Sequence, residues 1–106
     1  MWTINKSKFK LFYKDICIGE ILYTDSDFPW LSGTFTGNDY FKSFKPFFDS
    51  LVESLDKDIE FDESKWNPEW SEFKNWSLID EYDEVTPICM PMIYTNQWEI
   101  GWRLRF

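Results

Sequence analysis

Trp98-Glu99-Ile100-Gly101-Trp102-Arg103-Leu104-Arg105-Phe106 closes the chain with an apolar residue at every second position. Successive side chains of a strand point to opposite faces. Trp98, Ile100, Trp102, Leu104 and Phe106 therefore share one side, and Glu99, Gly101, Arg103 and Arg105 the other. A strand that is apolar on one side and polar on the other belongs to an antiparallel sheet covered on a single face. This stretch decides the fold class.

Upstream, residues 88–94 read as the preceding strand, with Thr95-Asn96-Gln97 as the connecting loop. At the other end of the chain, residues 8–14 place Phe9, Leu11 and Tyr13 opposite Lys8, Lys10 and Lys14, a second alternating strand. Residues 16–24 continue as its hairpin partner across Lys14-Asp15, a pair that hairpin turns do not favour. Gly19 inside that strand implies a bulge or the close approach of a ring. Residues 25–29 form a turn in which Pro29 bars helix at Phe28, and residues 30–36 read as a short third strand ending at Gly37.

The middle of the chain changes period. After an Asn38-Asp39 cap, Phe41, Phe44, Phe48, Leu51 and Leu55 recur every three or four residues, and Tyr40, Phe47 and Val52 widen the stripe. Pro46 falls inside this helix and demands a kink or two short pieces meeting there, and the helix runs out near Lys57. Residues 56–65 are acidic and irregular. Asn67 and Pro68 suit the start of a second helix, with Trp66, Trp70, Phe73 and Trp76 along one side. Residues 77–87 read as turn or weak strand. The expectation is one α+β domain over residues 1–106: an antiparallel sheet of about five strands with two helices packed on one face, in the order β-β-(β)-α-α-β-β.

Composition agrees with a folded chain. Seven Trp, five Tyr and eleven Phe make up 22% of the residues. Large rings fill a small core economically, each burying roughly 150–250 Å². A core of this size cannot enclose them all, so some reach the surface. The net charge of -8 is concentrated in one block. Residues 49–87 hold thirteen acids and three lysines, whereas the flanking segments are each near neutral. Such a charge disfavours nucleic acid and anionic membrane as direct partners and favours a basic protein.

The chemistry implied by the sequence is sparse. The chain has no His, the commonest general base and zinc ligand. Cys17 and Cys89 lie among apolar strand residues without CxxC spacing, which reads as two buried, reduced thiols. The acids of residues 56–63 lack the glycine and terminal glutamate of an EF-hand loop. No catalytic residue, metal or cofactor is expected. The N-terminus shows no signal-peptide run and no segment approaches a membrane span, so the expected setting is cytoplasmic.

Asp27-Phe28-Pro29-Trp30-Leu31-Ser32-Gly33-Thr34-Phe35 followed by Phe41-Lys42-Ser43-Phe44-Lys45-Pro46-Phe47-Phe48 resembles a family of small bacterial proteins. That family shares a Pro-Trp-x-x-Gly-x-Phe turn, a Phe-x-x-Phe-x-Pro helix and a Trp-rich last strand. The resemblance covers about half the chain and implies packing roles, with no activity attached. In size and charge alone the chain is also similar to acidic immunity proteins that block bacterial toxins.

Two functional readings follow. In the first, the chain is an acidic protein-binding module, an inhibitor or immunity-type protein rather than an enzyme, covering a basic surface. Its contacts would be Trp66, Trp70, Trp76, Asp80, Glu81, Asp83 and Glu84, which combine steering charge with aromatic anchors. In the second, a small ligand-binding or enzymatic domain uses Asp25 and Asp27 beside Trp30 at a pocket mouth. A purely structural domain with a solvated acidic face is the remaining alternative.

Overall fold

The computed structural model describes residues 8–27 and 29–104, with all their side chains except those of Asp27 and Phe73. Seven strands are formed: Lys8–Tyr13 (β1), Ile16–Asp27 (β2), Trp30–Gly37 (β3), Trp76–Asp80 (β4), Val85–Pro87 (β5), Met92–Tyr94 (β6) and Glu99–Arg103 (β7). They make one antiparallel sheet in the order β5-β4-β1-β2-β3-β7-β6. Among the described residues there is a single α-helix, Lys45–Asp56 (α1), preceded by a 3-10 helix over Asp39–Ser43.

This corrects the expected five strands and two helices. The segment from Trp66 to Trp76 is not a helix but part of a run of short 3-10 pieces, Glu63–Lys65, Pro68–Ser71 and Phe73–Asn75. Asn67 does cap its piece, its Oδ1 accepting from the Glu69 N–H at 3.0 Å, with Pro68 in the first turn. The helical spacing of the tryptophans has another cause. Trp66 and Trp70 lay their rings edge-on against Phe47, at centroid distances of 5.7 and 5.5 Å. Trp76 leaves the segment to open β4. The two extra strands are β4 and β5, which pair with β1 and with each other where turn or weak strand was expected.

The first helix behaves as Pro46 requires. Two pieces meet beside it, and the proline occupies the first turn of α1, where its missing N–H costs nothing. Asn38 starts the 3-10 piece, its side-chain oxygen accepting from the N–H groups of Tyr40 and Phe41. Phe41, Phe44, Phe47, Phe48 and Val52 are buried, whereas Tyr40 and Leu55, read as part of the stripe, are 65% and 61% exposed.

Register explains the core. Phe9 lies between Ile21 and Asp80, Leu11 between Gly19 and Leu78, and Tyr13 between Ile16 and Trp76. The bulge expected near Gly19 is present, because the β1–β2 register shifts between Leu11 and Phe12. A ring closes on the same residue: a Cβ at Gly19 would stand 2.5 Å from the Phe35 ring, so only glycine fits. In the β1–β2 turn Lys14 adopts φ 54°, which an L-residue resists. Its N–H donates to the Asn75 carbonyl at 2.7 Å and its ammonium group binds Glu69, two contacts that offset the strain.

The closing stretch holds its alternation from Ile100 onward. Ile100 and Trp102 are buried, and Leu104 is half-buried in a bridge to Ile88. Trp98 departs from the pattern, lying in the β6–β7 turn with φ 56° and 41% of its surface exposed. Arg105 and Phe106 lie outside the described residues. The strand expected over residues 88–94 is shorter, being β6 preceded by the Ile88 bridge. No helix among the described residues is long and apolar enough to cross a membrane.

Candidate functional site

The residues singled out in the acidic block separate into two groups. Trp76 is fully enclosed, ringed by Tyr13, Phe44 and Phe48. Trp66 and Trp70 are half-buried and cover Phe47. These rings belong to the core and its lid, so Trp76 in particular has no surface to offer a partner. The placement corrects its assignment as a contact residue.

The second group converges on the β4–β5 hairpin. Alternation along β4 points Trp76, Leu78 and Asp80 inward, so Asp80 ends the strand on the core face, 6% exposed. Its Oδ1 accepts the N–H groups of Tyr82 at 2.8 Å and Glu84 at 3.0 Å. The backbone adds Asp80 N–H to Glu84 C=O and Asp83 N–H to Asp80 C=O, each at 3.1 Å. With Asp83 at φ 61° the loop closes tightly around the carboxylate. Asp80 is thus a positioning residue below the surface rather than a contact.

What the turn presents is Glu81, Tyr82, Asp83 and Glu84, all exposed. Tyr82 is 75% exposed and Val85 beside it 59%. Three carboxylates surround one outward-facing ring at a tip fixed by backbone hydrogen bonds. Sequence reasoning gathered the carboxylates but not Tyr82 as their anchor. The available signal was its place at the centre of the acidic run in a turn, where a ring has little core to reach.

Elsewhere the acidic block serves local structure. Glu53 pairs with Lys57 at 3.0 Å, Glu72 with Lys74 at 3.5 Å, and Glu69 with Lys14. Hydrogen bonds from the side chain and backbone of Ser64 hold the Asp62 carboxyl below its ordinary range. The hydrogen bond from Lys14 does the same for Glu69.

The other candidate place lies at the β2–β3 turn. Asp25 Oδ1 accepts the Ser26 N–H at 2.8 Å, a bond internal to the turn. Trp30 is 47% exposed, with the Arg103 guanidinium 5.6 Å from its ring centroid. The Asp27 side chain lies outside what is described. Cys17 and Cys89 are free thiols and half-buried rather than buried, which corrects the expectation for both. No group of three or more His, Cys, Asp or Glu side chains among the described residues comes together as a metal site.

Comparison with protein-family models, with curated proteins and with solved structures finds no match for this chain. Within the motif stretches 27–35 and 41–48, Phe35, Phe41, Phe44, Phe47 and Phe48 are buried and a Cβ at Gly33 would meet the Leu22 carbonyl at 2.3 Å, whereas Trp30 is 47% exposed.

Proposed function

We propose that the chain is an acidic protein-binding module, of inhibitor or immunity type, that covers a basic surface of a partner protein through the tip of its β4–β5 hairpin. The observation that carries this reading is Tyr82, 75% exposed on a turn organised from beneath by Asp80 and flanked by Glu81, Asp83 and Glu84. An aromatic anchor held in place costs little entropy to bury, and the surrounding charge accelerates encounter with a basic patch. The function is binding rather than catalysis, in a reducing, cytoplasmic setting that suits the two free thiols.

The test uses a partner captured from the source cell, identified and purified. Tyr82→Ala raises the dissociation rate at least tenfold, on the order of 1.4 kcal/mol. The combined change Glu81→Gln, Asp83→Asn and Glu84→Gln slows association, and raised salt slows it in the parent. Binding indifferent to Tyr82→Ala, to charge removal and to salt would remove the hairpin tip from the interface.

A further inference from the structure

At the β6 edge of the sheet, the end of α1 and the β6–β7 turn enclose a groove of about 380 Å³. Val52, Leu55 and Asp56 of α1 line one side, and Tyr94 and Glu99 line the other with the turn between them. The size falls in the small-molecule range of roughly 300–1,000 Å³. The two sides are tied together, because the buried Thr95 hydroxyl donates to the Asp49 carboxylate on α1. The turn is fixed as well: the N–H groups of Gln97 and Trp98 both donate to the Tyr94 carbonyl, at 3.0 and 2.7 Å. The groove is preformed.

Its charge is of one sign and is not compensated. Asp56 and Glu99 are its charged lining groups, and no basic side chain among the described residues lines it. Neither carboxylate joins an ion pair among the described residues. Lys57, next to Asp56 in sequence, is engaged with Glu53 at 3.0 Å. The last turn of α1, at the negative end of the helix dipole, holds no basic residue, so the backbone carbonyls deepen the same potential. An apolar surface accompanies each carboxylate. Leu55, beside Asp56, is 61% exposed. Tyr94 stands directly across the β6–β7 pair from Glu99 and is 37% exposed, so its ring is open to a ligand. A hydrated metal ion gains nothing from Leu55, whereas methylene groups pack on it and an ammonium group is attracted to the Tyr94 ring.

We infer that the groove between the end of α1 and the β6–β7 turn binds a linear aliphatic diamine. One ammonium group pairs with Asp56 and the other with Glu99, while the methylene chain lies against Leu55 and Tyr94. Strands β5 and β6 are opposite edges of the sheet, so the groove shares no residue with the β4–β5 hairpin tip and is independent of that reading.

NMR titration of the amide signals tests it, with putrescine as the probe. Butylamine, which keeps the stem but has one charge, and magnesium, which has two charges and no stem, are the controls. Putrescine shifts Leu55, Asp56, Tyr94 and Glu99, butylamine binds more weakly, and an excess of magnesium does not displace the diamine. Asp56→Asn combined with Glu99→Gln weakens putrescine roughly tenfold. Glu60→Gln combined with Glu63→Gln removes the same charge elsewhere on the surface and leaves the affinity unchanged. All four positions are exposed, so both variants keep cooperative unfolding. Equal weakening in the two variants, displacement by magnesium, butylamine binding as tightly, shifts centred elsewhere or no shifts at all would each overturn the assignment.

Discussion

Trp76 donates its indole N–H to the backbone carbonyl of Trp70 at 2.9 Å, tying the 3-10 segment to the first residue of β4. Trp102, equally enclosed in the core, has a buried indole N–H with no hydrogen-bond partner among the described residues. The two tryptophans should thus respond differently to the same substitution. Trp76→Phe removes ring volume and also leaves the Trp70 carbonyl without its donor, whereas Trp102→Phe removes volume and an unsatisfied polar group. Trp76→Phe is expected to cost about 1 kcal/mol more than Trp102→Phe. Urea midpoints at matched slopes measure the difference, and equal losses would show that the Trp76 bond contributes nothing net.

Acid stability should depend on Asp49. Partial burial raises the pKa of this carboxyl, but hydrogen bonds from Lys45 and Thr95, with the Lys45 charge, outweigh it and hold the group below its ordinary value. A carboxylate with a depressed folded-state pKa adds stability above its unfolded value, and that stability is lost as pH falls through the folded one. The loss therefore occurs on the acid side, below about pH 4. Asp49→Asn is expected to lower stability at about pH 7 and to narrow its difference from the parent at about pH 3. A constant gap between the two proteins at both pH values would contradict the linkage.

The hairpin tip carries its own test in Asp83, at φ 61°. Asp tolerates the left-handed region through local hydrogen bonding, and glycine has no Cβ to resist it. Asp83→Gly should leave stability within about 0.5 kcal/mol, while Asp83→Val should cost about 1–2 kcal/mol. Thermal unfolding of the two variants distinguishes them, and equal behaviour would mean that the turn relaxes freely.

The thiols should not bridge within one chain. Cys17 lies on β2, and Cys89 donates its N–H to the Arg103 carbonyl at the far side of β7. Strands β3 and β7 intervene, so about three strand spacings of roughly 4.8 Å separate them. A disulfide needs Cα atoms within about 7 Å. Mass spectrometry after mild oxidation should show monomer with both thiols free or modified singly. An intramolecular bridge in protein that remains folded would contradict the sheet order.

Residues with local signals were legible in the sequence. The alternation of Phe9, Leu11 and Tyr13, the two pieces meeting at Pro46 and the inward Ile100 and Trp102 all follow from periods of two or 3.6 residues. The tryptophans of residues 66–76 misled because spacings of three and four also arise in 3-10 turns, from which Trp66 and Trp70 wrap Phe47 while Trp76 passes into β4. The strand nature of residues 76–80 was hidden for a further reason. Its inward positions include Asp80, a carboxylate where an apolar residue would complete the pattern, placed there to organise the turn. At the candidate site the acids were visible by composition, but the division between a buried Asp80 and an exposed Tyr82 depends on pairing with β1, which no local pattern encodes.

The strand order also governs when the molecule is vulnerable. β1, β2 and β3 follow one another directly, yet their outer edges are sealed by β4 on one side and β7 on the other, both made much later. A growing chain that has reached the end of α1 carries a three-strand ribbon with two open rows of backbone donors and acceptors. At synthesis rates of about 5–20 residues per second, the β3 edge waits roughly 3–12 s for the strand that covers it. Protection from edge-to-edge association with neighbouring nascent chains is complete only when the final hairpin docks.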